Sequence, residues 1–213
     1  CGVTPVWASE IEAFPIEVTK RHFPEMTHLG DVTTIRGDQI EPVDIITFGS
    51  PCQDLSVAGK RSGLEGERSS LFFEAVQIIR EMRDATNGRY PRYGVWENVP
   101  GALSSNQGED FRQVLESLAK VVEPSIVIPR PRRGKWTRSG VVRGNGWSIA
   151  WRILDAQHFG VAQRRRRIVL IADFGGQRAS DVLFEREGVS GYYPSSEEAR
   201  KDASVDVESG VGA

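Results

Sequence analysis

Residues 43–52 read Val43-Asp44-Ile45-Ile46-Thr47-Phe48-Gly49-Ser50-Pro51-Cys52. The first six form a near-continuous apolar run of strand length, closed by a Gly-Ser-Pro turn. Strands buried on both faces of a parallel sheet have this composition. A cysteine, Cys52, stands just past the turn, followed by the polar residues Gln53, Asp54 and Ser56. In open α/β sheets, ligands sit beyond the carboxyl ends of the strands, so this is where chemistry is expected.

Outward from that strand, helical and strand periods alternate. Upstream, Thr4 to Ser9 reads as a short buried strand ending at Glu10, and Ile11 to Phe23 as an amphipathic helix with Pro15 near its start. Downstream, a Gly-, Ser- and charge-rich loop leads to Ser70–Asp84, where Phe73, Val76, Ile79 and Met82 share one helical face. Tyr93 to Trp96 is a further strand, ending in Glu97-Asn98-Val99-Pro100. Asp110 to Val121 spaces Phe111, Val114, Leu115 and Leu118 as a helix does. Two more strands are expected at Ile149–Leu154 and Ile168–Ala172. The alternation predicts a mostly parallel sheet with helices on both faces. Glu10, the Ser50-Pro51-Cys52 turn and Glu97 then lie at the ends of three strands, on one rim.

The chain has 213 residues, 39% hydrophobic and 26% charged. That composition excludes wholesale disorder and fibrous repeats. Only Cys1 and Cys52 are cysteines, which argues against a disulfide-stapled secreted scaffold. No apolar run approaches the roughly 18 residues of a membrane helix. The first basic residue, Lys20, follows Glu10 and Glu12, so no signal peptide is read. A soluble, cytoplasmic protein without membrane contact is expected. The net charge of −2 hides a segregation: residues 181–213 hold eight acids and three bases, whereas Arg130–Arg143 holds six bases and no acid. Such a basic stretch is either solvated surface or the footprint of a polyanion. The acidic, Ser/Glu-rich residues 175–213 read as a linker.

Residue types alone leave alternatives open. Cys52 is either a small buried hydrophobe or a nucleophile whose thiolate is favoured by Lys60, Arg61 and Arg68. Glu97, between Trp96 and Val99, is a capping or ion-paired carboxylate, or an acid able to donate a proton. Glu10 at a strand end suits ribose hydroxyls, and Asp31 is similar. The run Arg164-Arg165-Arg166-Arg167 before Ile168 is an edge-strand charge guard or a grip for a carbonyl oxygen or phosphate. Strand alternation puts Arg165 and Arg167 on one face and Arg164 and Arg166 on the other.

Taken together, Gly49-Ser50-Pro51-Cys52-Gln53 with Ser56, Glu67-Arg68 before Leu71-Phe72-Phe73, Glu97-Asn98-Val99, and Gln163-Arg164-Arg165-Arg166-Arg167 occur in an order and at separations that closely resemble the DNA (cytosine-5)-methyltransferase family. The resemblance covers about residues 1–174. It implies a Rossmann-like fold of the class I S-adenosyl-L-methionine-dependent methyltransferase type. By the same matching, Cys52 would add to carbon 6 of cytosine, Glu97 would hold N3 and the exocyclic amine, and Arg165 and Arg167 would grip the carbonyl and the site. Glu10, Ile11, Asp31, Val32 and Pro51 would bind S-adenosyl-L-methionine. Gln53, Ser56, Arg68 and Arg164 would contact double-stranded DNA from which the target base is flipped.

The resemblance also implies what departs from it. The family's Phe-x-Gly-x-Gly turn after a first strand has no counterpart, nor has the target-recognition region after Phe174. The expected organisation is a partial catalytic domain over residues 1–174, with a basic insertion at about 126–146 whose Trp136 and Trp147 could meet DNA. An acidic linker, or the start of a recognition region, is expected over 175–213. A monomer is expected, from a bacterial or phage modification system with a cognate restriction endonuclease as partner. The isolated fragment is expected to be inert. A transfer-RNA methyltransferase and a non-catalytic nucleic-acid-binding remnant are the competing readings.

Overall fold

A computed structural model describes residues 2–50 and 71–184. Among these, two sheets form. The smaller pairs β1 (Trp7–Ala8) with β2 (Thr27–His28) in parallel, with helix α1 (Ala13–His22) between them in sequence. The larger contains β3 (Ile45–Gly49), β4 (Tyr93–Asn98), β5 (Ser139–Gly144), β6 (Trp147–Asp155) and β7 (Arg166–Asp173), in the order β3-β4-β7-β6-β5. Helices α2 (Leu71–Ala85), α3 (Glu109–Ala119) and α4 (Ala179–Leu183) complete the regular elements.

The sheet is mixed, which corrects the expectation of a mostly parallel one. Only β3–β4 is parallel in the larger sheet; β4–β7, β6–β7 and β5–β6 are all antiparallel. The cause is local. β5 and β6 are joined by Asn145-Gly146, and Gly146 has φ +79°, the positive value that tight hairpin turns demand. β6 thereby runs in the direction of β3 and β4, and the connection 156–165 reverses the chain once more, so β7 is antiparallel to both β6 and β4.

The main core lies on one face, where α2 and α3 pack. Phe72, Val76, Ile79 and Met82 of α2 and Phe111, Val114, Leu115 and Leu118 of α3 meet Trp96, Ile149, Trp151, Ile168 and Leu170 of the sheet. Trp96 is fully buried, with Phe72 edge-on at 6.2 Å and Phe111 at 6.0 Å. Glu109 and Asp110 in the first turn of α3 suit its positive dipole end. The other face is covered by α4, whose Ala179 is buried against Ala150 and Ile171. Helices thus occupy both faces, unequally. Helix α4 carries the packed structure past Phe174. The segment after β2 ties the small sheet to the rest: Val32, Ile35 and Ile40 pack on the main core, and the Gly37 N–H donates to Glu81 Oε2 of α2 at 2.7 Å. No helix among the described residues is long and apolar enough to cross a membrane.

Candidate active site

The carboxyl ends of β3 and β4, the end of β6 and the start of β7 share one rim, because Gly49 lies beside Glu97, Asn98 beside Ile168, and Asp155 beside Arg166. Glu97 and Arg167 meet there: Arg167 Nε donates to Glu97 Oε1 at 2.8 Å. Their side chains are 47% and 28% exposed, so the pair is open to a ligand and its carboxylate does not sit in the apolar setting that Trp96 and Val99 suggested. The Glu97 carboxylate lies over Gly49, with Oε2 3.5 Å from where a Cβ would project. That closeness puts it beside the end of β3, three residues before Cys52 in sequence.

Asn98 faces the other way and fixes that same strand end. Its Nδ2 donates to the Ser50 carbonyl at 2.8 Å, while its Oδ1 accepts from the Val99 N–H at 2.8 Å. Trp96 Nε1 donates to Ser50 Oγ at 3.3 Å. Ser50 and Asn98 are both buried, so the chain two residues before Cys52 is held by paired polar groups without access to water. Cys52, Pro51, Gln53, Ser56 and Arg68 lie outside the described residues.

Of arginines 164–167, the last two lie in β7 and point to opposite faces. Arg167 turns to Glu97, and Arg166 turns to the opposite face, where its Nε donates to Asp155 Oδ2 at 3.2 Å. Asp155 Oδ1 also accepts from the Arg165 N–H at 3.1 Å, and Ala156 N–H donates to the Arg165 carbonyl. Burial of Asp155 favours its protonated form, but these donors, with the Gln157 N–H, outweigh it and hold its pKa below the usual carboxylate value. Arg165 is thus fixed by its backbone while its side chain, like that of Arg164, is exposed.

Glu10 and Asp31 follow the two parallel strands of the small sheet and are brought side by side, with Ser9 Oγ donating to the Gly30 carbonyl at 2.7 Å. Glu10 Oε1 accepts the N–H groups of Ile11 and Glu12 at 2.8 and 2.9 Å. The Glu12 and Ile11 donors hold its pKa below the usual value. Asp31 Oδ1 accepts the Thr33 N–H and hydroxyl, with the same effect. Among the described residues the second oxygen of each carboxylate has no hydrogen bond, so two ionised acceptors face outward. Ile11 is 70% exposed beside them, and Val32 packs inward on the core. Acceptors for a ribose diol and an amine next to an exposed apolar side chain fit an adenosyl group.

Three findings lay beyond the sequence reading. Asn98 as a brace for Ser50 was hidden inside the Glu-Asn-Val triplet. Asp155 as the anchor of the arginine run had a usable signal, an acid closing the strand just before that run. Trp136 and Trp147 are not free for bases. Trp147 is 1% exposed and donates to Glu123 Oε2 at 2.8 Å, and Trp136 donates to the Gly108 carbonyl at 2.8 Å with its ring edge-on to Phe111 and Trp151.

The family model for C-5 cytosine-specific DNA methylase matches residues 1–122 and 141–202. A protein of Escherichia phage P1 named DNA N-6-adenine-methyltransferase is 36% identical over 99% of this chain, which covers 31% of its length. The type II methyltransferase M.NgoBV of Neisseria gonorrhoeae is 30% identical over 84% of this chain and 36% of its own length. Among solved structures, the S. pombe Dnmt2 methyltransferase is similar with a TM-score of 0.54 and 19% identity, over 87% of this chain and 48% of that one. The chain therefore spans about a third of the curated relatives it matches.

Proposed function

This chain belongs to the C-5 cytosine-specific DNA methylase family, and from that premise we propose that it supplies the catalytic part of an enzyme methylating carbon 5 of a cytosine flipped out of duplex DNA. The observation that carries the reading is the Glu97–Arg167 pair, 2.8 Å apart on the rim where β3 ends, three residues before Cys52 in sequence. Carbon 5 of cytosine is a poor nucleophile. Addition of the Cys52 thiolate forms an Sγ–C6 bond and moves the ring's electron pair toward carbon 5. Glu97, oriented by Arg167, holds N3 and the exocyclic amine as charge builds on the ring. Arg165 grips the carbonyl oxygen. After transfer, loss of the carbon-5 proton expels Cys52 and restores the ring.

S-adenosyl-L-methionine, when bound, supplies an electrophilic methyl group. Glu10 would accept the ribose hydroxyls, Asp31 the adenine amine, and Ile11, Val32 and Pro51 would form apolar contacts. Gln53, Ser56, Arg68 and Arg164 would hold backbone phosphates around the flipped base. The type II name of the Neisseria relative supports a modification system with a cognate restriction endonuclease as partner.

The test is methyl transfer from labelled S-adenosyl-L-methionine by the complete gene product that carries this sequence, offered duplex DNA and transfer RNA separately. Label on cytosine of duplex DNA, abolished by Cys52→Ser, is the expected result; label on transfer RNA alone would refute it. The printed name of the phage P1 relative raises adenine N6 as a second reading. An exocyclic amine needs no thiol adduct, so transfer to adenine would survive Cys52→Ser.

A further inference from the structure

The stretch that the family match skips, residues 123–140, contains most of the basic insertion. It is firmly built. The Trp136 N–H donates to the Leu103 carbonyl at 3.0 Å, the Ile153 N–H to the Arg138 carbonyl at 3.0 Å, and Trp151 Nε1 to the Thr137 carbonyl at 3.0 Å. The two tryptophans anchor this strap, and its bases are left to project. Lys135 and Arg138 line a cavity of about 450 Å³ with Arg166, over a floor that includes Leu103 and Ile153. Pro100 and Gly101, just past the Glu97-Asn98-Val99 triplet, form another wall. The cavity therefore opens at the same rim as the Glu97–Arg167 pair, on the opposite face of the sheet.

Its charge is unbalanced. Asp155 lines it but is already paired with Arg166. Among the described residues Lys135 and Arg138 make no ion pair. Two uncompensated cations on a braced strap, beside a third held in place, make a cradle for a phosphate group. We propose that this cavity is a phosphate subsite, which seats a backbone phosphate of the duplex near the target cytosine. It rests on the DNA reading given above.

The experiment measures duplex binding by the complete gene product with fluorescence anisotropy over a range of salt. Each phosphate that the protein no longer neutralises should lower the slope of log affinity against log salt by about 1. The double variant Lys135→Ala/Arg138→Ala is expected to lower the slope by about 1, with an unchanged melting temperature. Lys135→Arg/Arg138→Lys should keep the slope. Arg132→Ala/Arg133→Ala, in the same basic stretch but off the cavity lining, should leave it unchanged. An equal drop in slope from both alanine pairs would overturn the subsite in favour of a diffuse basic field, and no drop from either would show that no phosphate sits there. Either result with methyl transfer intact refutes the subsite alone. A product that neither binds duplex nor transfers methyl refutes the DNA reading as well.

Discussion

At the scale of single residues, the Arg167 guanidinium and the Asn98 amide perform separate tasks on adjacent carboxyl-end positions. Arg167 meets Glu97 where both side chains are accessible, and an exposed ion pair contributes little to stability. Arg167→Ala is therefore expected to lower methyl transfer by about 100-fold, the usual cost of losing one group that stabilises developing charge, with the melting temperature unchanged. Single-turnover transfer and calorimetry on the same samples check this. Asn98→Ala should do the reverse in stability. It leaves the buried Ser50 carbonyl without a donor, at a cost of about 1–3 kcal/mol by urea unfolding, and loosens the turn before Cys52. The opposite faces of Arg166 and Arg167 were legible in the sequence because strand alternation assigns faces without any knowledge of partners. Asn98 was not, because an amide that braces another segment shows no local pattern.

At the scale of elements, the parts read from apolar periodicity are the parts that appear. Strands β3, β4, β6 and β7 and helices α2 and α3 fall within a few residues of expectation, since each has a buried apolar run or stripe; helix α1 falls there too, although none of its residues is buried. Strand direction was not legible: β6 and β7 are apolar enough to be buried either way, and the connections at Asn145-Gly146 and 156–165 decide. Strand β5 (Ser-Gly-Val-Val-Arg-Gly) was hidden by its glycines, which the hairpin itself requires. Gly140 lies opposite Trp151 and Gly144 opposite Trp147, where a Cβ would come within 2.2 and 2.1 Å of the indole rings. Gly140→Ala should therefore force the hairpin apart, costing about 1–3 kcal/mol as overpacking does. Chemical denaturation measures the loss. Helix α4 offers only Val182 and Leu183 beyond its alanine, too little apolar signal to stand out among acids.

At the scale of the whole molecule, carboxylates hold the frame as well as the site. Burial of Glu116 favours its protonated form, but Lys120, the Ile128 N–H and Arg112 outweigh it, so its pKa lies below the ordinary 4.5. Glu109, through its hydrogen bond with Arg112, is lowered too. A lowered folded-state value means that the unfolded chain binds more protons in acid. This stabilisation is complete above the ordinary carboxylate value and is lost as pH falls through the lowered one. The melting temperature should be level near neutrality and fall in acid. Glu116→Gln should show a lower neutral value and a shallower acid decline; an unchanged profile would contradict the role of this cluster at the base of the basic strap. The most direct test of the proposed chemistry is covalent trapping on duplex DNA bearing 5-fluorocytosine, from which the carbon-5 substituent cannot leave as a proton. With S-adenosyl-L-methionine present, the complete gene product is predicted to form a protein–DNA adduct that survives denaturation, maps to Cys52 and vanishes in Cys52→Ser. Methylated product accumulating on DNA with no such adduct would contradict the account.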